Sequence, residues 1–411
     1  MALLVLAVVL SANRAGNPIL AASLILSLGL WPLSIFRHQR DLFWALMLVL
    51  LQILFAYAVT LYSECHAYVD AVLPGNVDQE MYLAQGGAIA EATRHISIWV
   101  LKYSDYSQFS ARSYQYTVAA LMRFTDSHDP LWIRIFNFHM LWIASWGCVK
   151  SIGALLKKPY PAWTAWPLLM MPSTNLYAIL VLRENLMTAC LAVFTFSFLS
   201  GNIFLMLSTL FVLFYSRVPM VAIVMIYALL FVALKWAYSE KSSPRWKLPA
   251  VFALISGFCF LFFSGMLTDP LRKHLASLFF YMPSYEFKMI RSFTLRFIPA
   301  FSGTEFAFAS PYQWNENYSL TRAFLVRLVQ FDSVLMPAAL LACCYGSLKF
   351  HRDRVTAFAL ATLFIFVLYV YSYVALYAQT FIRLYVPWYP IFMIVVLVCL
   401  IRRRQPLVEN L

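Results

Sequence analysis

The chain has 411 residues, of which 62% are hydrophobic and 12% charged, and its formal net charge is +13. A soluble domain carries about 45–50% apolar and about 25% charged residues, which excludes a water-soluble enzyme held by one anchor. The twelve Gly without a period and the seven scattered Cys exclude collagen-like and disulfide-built chains as well.

Apolar runs follow one another along the chain, near Pro18 to Phe36, Leu42 to Tyr62, Leu131 to Ile152, Pro161 to Leu180, Leu186 to Ser200, Asn202 to Tyr215, Met220 to Tyr238, Pro249 to Leu267, Ala323 to Ser347, Val355 to Tyr377 and Val386 to Ile401. They lack the period-two alternation of a barrel, so helices are expected, because helices satisfy their own backbone in hydrocarbon. At about 20 residues per crossing, about 11 to 12 crossings would use roughly 220 to 240 positions. The expected fold is therefore an all-α polytopic membrane protein. Met1 to Ala12 is apolar for too short a stretch for an ordinary span and lacks a basic n-region, so it reads as a short or tilted helix that is retained. The runs from Pro172 to Tyr215 are short and interrupted and read as half-helices or re-entrant elements.

Basic groups separate the runs: Arg37 and Arg40; Lys150, Lys157 and Lys158; Lys241, Arg245 and Lys247; Lys349, Arg352 and Arg354; Arg402, Arg403 and Arg404. If each run crosses once, all of them fall on one side, which the excess of positive charge marks as the cytoplasm. Two connections on the other side, 63–130 and 268–322, are too long for simple turns and are expected to be structured outer loops that carry the chemistry. Cys65 is the only Cys outside the runs, so these loops have no disulfide framework. Cys148, Cys190 and the Cys343-Cys344 pair read as small packing residues.

In the first loop Pro74-Gly75-Asn76 signals a turn, and Asp78 stands where a helix would be capped, with Tyr82 one turn below it. Asp78 reads as a cap worth about 1 kcal/mol, or as a general base toward an acceptor hydroxyl; the two are compatible. Asp70 is its rival, with Glu80, Asp105, Asp126 and Asp129 further off. Ser113 to Phe124 has the apolar face of a helix lying in the membrane interface.

Four polar sites border apolar runs on the outer side: Arg183-Glu184-Asn185, Arg217 before Val218-Pro219, Arg327 with Asp332, and Arg383 in Arg383-Leu384-Tyr385-Val386-Pro387. Each reads either as a side chain that snorkels to water or as the wall of a polar cavity, since an ionisable group at membrane depth costs about 3 kcal/mol or more. The second loop adds Arg272, Lys273, His274, Lys288, Arg291 and Arg296 interleaved with aromatic residues. Arg suits phosphate and aromatic faces suit sugars, so an anionic glycan carrier fits this side, whereas nucleic acid does not normally meet it. No Gly-rich phosphate loop, nucleophile elbow or zinc pattern is present. A divalent ion held by Asp78 and a second carboxylate is the one metal arrangement left open.

These residues together resemble the C-type (GT-C) glycosyltransferases, bacterial integral membrane enzymes that use a polyprenyl-phosphate-linked sugar. The resemblance rests on Asp78-x-x-x-Tyr82 after a membrane helix, Arg134-Ile135-Phe136-Asn137 opening the next span, Pro172-Ser173 to Arg183-Glu184, Arg217-Val218-Pro219, and Arg383-Leu384-Tyr385-Val386-Pro387 to Pro390. It runs from about Leu42 to the C-terminus. It implies a GT-C-like catalytic bundle over 42–411, with 1–41 as additional N-terminal membrane helices. It also implies an inverting transfer from a polyprenyl phosphate or diphosphate to a glycan or lipid acceptor at the periplasmic face of the cytoplasmic membrane, with no required cofactor. Asp78 would be the catalytic carboxylate, and Tyr82, Arg183, Glu184, Arg217, Lys288, Arg291, Arg296 and Arg383 would contact substrate or its phosphate. The chain departs from the pattern in its extra N-terminal helices and in lacking a paired acid at the Asp78 motif. A polymerase of lipid-diphosphate-linked repeat units and a lipid flippase or transporter are the alternatives.

Overall fold

The computed structural model describes residues 9, 11–65, 77–92, 112–158, 162–237, 253, 335–349, 354–365 and 386–404. Every regular element among them is helical. The first part of the chain forms α1 (Pro18–Leu28), α2 (Leu30–Ile35) and α3 (Gln39–Cys65). Helices α4 (Val77–Ala92) and α5 (Arg112–Thr125) lie in the first long connection, and α6 (Leu131–Leu156) follows. A broken segment comes next: a 3-10 turn at Ala162–Ala165, α7 (Trp166–Leu169) and α8 (Pro172–Ile179). Then come α9 (Glu184–Ser200), α10 (Ile203–Ser216) and α11 (Val218–Ala237). The last elements are α12 (Leu335–Lys349), α13 (Arg354–Ile365), a 3-10 turn at Val386–Trp388 and α14 (Tyr389–Arg404).

Two stretches, Pro18–Ile35 with 18 residues and Gln39–Leu61 with 23, are long and apolar enough to cross a membrane by length and composition. The run expected as one element over Pro161 to Leu180 is instead broken at Met170–Met171, where Pro172 starts a new helix. Proline lacks the amide that would continue the preceding turn, so the chain restarts there.

Helix α6 is the hub, with 18 of its 26 residues buried and none fully exposed. Its partners' directions follow from side-chain contacts. Thr60 of α3 meets Arg134, while Gln52 meets Trp142, so α3 runs antiparallel to α6. Segment 162–179 is antiparallel too, since Asn175 joins Gln52 at the level of Trp142 and Ile179 reaches Arg134. Gly201, at φ 78°, turns α9 back into α10, and the carbonyl of Ser216 returns to Arg183. Residues 14–17 pair with 125–129 beside the start of α6 through Gly16 N to the Asp126 carbonyl (3.2 Å) and Asn17 N to the Thr125 carbonyl (3.0 Å). At the opposite end of the bundle Phe36 packs on Trp166 with ring centroids 5.0 Å apart, and Lys157 terminates α6.

Among the described residues, apolar side chains form exposed stripes and a set of polar side chains is buried within the hydrophobic core. Leu26, Leu30 and Leu33, then Phe204, Leu207 and Phe211, then Met225, Leu229, Val232 and Trp236 form exposed stripes at helical spacing. Gln52, Arg134, Asn137, Glu184, Asn185 and Thr188 are buried. Cys148, Cys190, Cys343 and Cys399 are buried as expected of packing residues, but Cys344 is exposed.

Where α6 crosses α9, the helices meet backbone to backbone. A Cβ on Gly147 would lie 2.9 Å from the Ala192 carbonyl carbon and 3.0 Å from its Cβ, so any side chain there wedges the helices apart. Overpacking of this kind costs about 1–3 kcal/mol. Gly147→Val is accordingly expected to lower the thermal unfolding temperature of the purified protein by several degrees, whereas Gly201→Asn, at an exposed left-handed turn, should leave it nearly unchanged.

Candidate functional site

The site is built around the end of α8. A helix leaves its last carbonyls without intrahelical donors, and α8 stops inside the bundle, where water cannot supply them. Helix α6 supplies them instead. The Arg134 Nε donates to the Ile179 carbonyl at 2.9 Å, and the Asn137 Nδ2 donates to the Leu180 carbonyl at 2.8 Å. A second nitrogen of the Arg134 guanidinium donates to Thr60 Oγ1 on α3. Residues at i and i+3 share a face of a helix, so one face of α6 fastens the whole bend between α8 and α9. The bend is closed by the Leu182 amide on the Leu180 carbonyl (2.8 Å), and α9 then starts at Glu184.

Helices α4 and α5 approach the same end. They run parallel: Tyr82 meets Tyr114 edge to face at 5.1 Å, Gln85 accepts from Gln115, and Arg123 donates to the Ala90 carbonyl at 2.9 and 2.6 Å. Gly86 makes the approach possible, because a Cβ there would stand 2.3 Å from Val118 Cγ1. The face of α5 expected to lie on the membrane interface, with Tyr114, Val118, Leu121 and Met122, is buried instead, and α5 packs on α4 and on the bundle. Tyr114 extends beyond the pair, its hydroxyl lying 3.4 Å from Asn137 Oδ1 and 3.3 Å from Nδ2. Burial pushes the Tyr114 phenol well above its ordinary pKa, with the nearby Glu184 and Tyr82 acting in the same direction, so it stays neutral.

Several residues read from the sequence therefore converge. Tyr82 is buried against Tyr114, and Asp78 lies one turn before it in the first turn of α4. The helix already begins at Val77, so Asp78 sits inside the first turn, where an acid is favoured by the helix dipole. Glu184 is 1% exposed, beside Asn185 at 0% in the first turn of α9. An Arg183 amino nitrogen donates to the Ser216 carbonyl at 2.7 Å, which sets Arg183 beside half-buried Arg217 at the joint between α10 and α11. Val386, three residues after Arg383, packs at the first turn of α9, its carbonyl 3.4 Å from Thr188 Oγ1. Asp70, Lys288, Arg291, Arg296, Arg383, the Arg327 and Asp332 pair and the second outer loop lie outside the described residues.

Sequence reasoning did not assign Tyr114 and Thr60 to the site, and it named Arg134 and Asn137 only as part of a motif. The signal was an ionisable residue and an amide three apart at the head of an apolar helix. Among the described residues no group of three His, Cys, Asp or Glu is placed to hold a metal ion. No family model matches the chain, and no curated protein or solved structure matches it.

Truncating Arg134 would leave the Ile179 carbonyl buried without its donor, a loss of about 1–3 kcal/mol for such a group. Arg134→Met keeps the stem and removes the guanidinium. Thermal unfolding of the purified protein should show it clearly less stable than Thr60→Val, which removes one partner and leaves the Ile179 contact in place.

Proposed function

We propose that the chain is an integral membrane glycosyltransferase of the GT-C type, which moves a sugar from a polyprenyl-phosphate-linked donor to the hydroxyl of a glycan or lipid acceptor. The observation that carries this reading is the convergence at one end of the bundle of the Asp78 and Tyr82 helix, the Arg183-Glu184 bend and the Arg217 joint. These residues stand in separate motifs of the sequence, and a transfer site needs them together. The exposed apolar stripes support a lipid setting, since stripes of this extent are rare on soluble monomers. The basic residues Arg37, Arg40, Lys157 and Lys158 border the opposite end of the bundle, which by the excess of positive charge would face the cytoplasm and set the site outward.

In the proposed reaction the Asp78 carboxylate takes the acceptor hydroxyl proton as the oxygen attacks the anomeric carbon. The bond from that carbon to the phosphate oxygen breaks, its electron pair leaves with the phosphate, and the configuration inverts. Arg183 and Arg217, together with Arg383 and the basic second loop, would neutralise the leaving group; fixed guanidinium groups in a dry site stabilise developing charge strongly. Buried Glu184 would hold Arg183 and orient the site from below. The lipid phosphate is its own leaving group, so no cofactor is required, and a divalent ion would act as an addition to these groups.

Transport of a lipid is a second reading, and one observation favours it. Segment 162–179 is broken, and beside it Gln52 donates to Asn175 Oδ1 at 3.0 Å and accepts from Trp142 Nε1 at 2.9 Å, about halfway along α3 and α6. Carriers place polar groups and interrupted helices at that depth.

The test is sugar transfer by purified protein in lipid nanodiscs. Asp78→Asn is expected to abolish transfer, a loss of at least about a hundredfold for a missing general base, with an unchanged thermal unfolding profile. Undiminished transfer would remove Asp78 from the mechanism. Lipid translocation in sealed vesicles with no transfer in nanodiscs would replace the enzyme reading by the carrier.

A further inference from the structure

The helix pair that carries Asp78 and Tyr82 and the bend that carries Arg183 and Glu184 are separate pieces of chain. Asn137 is fully buried between them. Its carboxamide is planar, so donation to the Leu180 carbonyl at 2.8 Å fixes its rotation, and the same rotation turns Oδ1 and the second Nδ2 hydrogen toward the Tyr114 hydroxyl at 3.3–3.4 Å. Tyr114 in turn is the residue on which the Tyr82 ring rests. A single line of contacts therefore runs Tyr82, Tyr114, Asn137, Leu180, and three residues later the chain reaches Arg183.

We propose that Asn137 is a positioning residue that couples these two arms, so that the α4/α5 pair and the α8–α9 bend hold one relative placement and loosen together. Asn is suited to this because it carries a donor for the carbonyl and an acceptor for the phenol on one rigid group. Aspartate would turn an oxygen on the Leu180 carbonyl, and leucine would satisfy neither side. That the aligned groups perform sugar transfer rests on the function proposed above; the coupling itself does not.

The experiment is amide hydrogen exchange on the full chain in nanodiscs, comparing the wild type with Tyr114→Phe and Asn137→Asp. Tyr114→Phe removes the hydroxyl that meets Asn137 and leaves the Asn137 donation to the Leu180 carbonyl in place. With coupling, it should speed exchange both in 112–125 and at the bonded amides of Leu180, Leu182 and Met187, by about fivefold, the factor that one lost hydrogen bond brings to a local opening. Asn137→Asp keeps an acceptor for Tyr114 and loses the donor to Leu180, so it should loosen 180–187 more than 112–125. A change confined to 112–125 in Tyr114→Phe, or protection of 180–187 unaltered in both variants, overturns the proposal. Exchange is read whether or not the protein transfers sugar, so failure of the transferase reading leaves this result intact. If wild-type transfer is present, Tyr114→Phe should lower kcat several-fold with KM for the donor held within about twofold, the pattern of lost alignment with retained binding.

Discussion

The arrangement depends on two carbonyl oxygens. At Ile179 and Leu180 the chain leaves helical geometry inside a packed bundle, and each carbonyl would cost several kcal/mol if it met only hydrocarbon. Arg134 removes that cost at Ile179, Asn137 shares the Leu180 carbonyl with the Leu182 amide, and in doing so the two fix three other things. The second Arg134 contact holds Thr60 and with it the end of α3, the Asn137 amide holds Tyr114 and the α4/α5 pair, and the closed bend directs the start of α9. Lysine could not replace this arginine, because only a guanidinium presents several donors in a fixed plane. A bend held so firmly can be a site, whereas an unsupported one would collapse onto its own unpaired groups.

The rest of the interior follows the same logic at lower stakes. Trp31 donates to His139 Nδ1 at 3.0 Å while His139 Nε2 meets the Leu24 carbonyl at 2.9 Å, which ties α1 and α2 to α6. Gln52 joins α3, α6 and α8, and Asn175 reaches back to the Leu169 and Met171 carbonyls beside the Pro172 break. Polar side chains thus appear where backbone is interrupted or where three helices must share one register. Between them, association relies on close contact of small groups such as Gly147 with Ala192, the kind of packing that holds helices when the surroundings are as apolar as the side chains themselves.

Much of this was legible in the sequence. The runs near Leu131 to Ile152, Leu186 to Ser200 and Asn202 to Tyr215 became the helices Leu131–Leu156, Glu184–Ser200 and Ile203–Ser216, whereas the break before Pro172 falls inside a run read as one, Pro161 to Leu180. Arg183 and Glu184 stood out as polar residues at the edge of apolar runs, and Tyr82 as the residue one turn below Asp78. Arg134 and Asn137 were visible too, but not their task, because their partners are backbone carbonyls, and sequence does not reveal which carbonyls are orphaned. The fate of the α5 face was misread for a related reason: Tyr114, Val118, Leu121 and Met122 form the same stripe whether they rest on lipid or on a neighbouring helix. The deciding residue was Gly86, on another helix, whose missing side chain lets Val118 in.

On the transferase reading, the two arginines of this region have different tasks. Arg134 is committed to Ile179 and Thr60, so its charge serves the scaffold. Arg183 differs in place: it is half-buried at the head of α9, beside the extended joint at Arg217. One of its amino nitrogens donates to the Ser216 carbonyl at 2.7 Å. A carbonyl is a weak competitor for an arginine compared with a phosphate, since charge-assisted bonds are about twice as strong as neutral ones. On that reading a departing phosphate would compete for Arg183 with the neutral Ser216 carbonyl at the joint between α10 and α11.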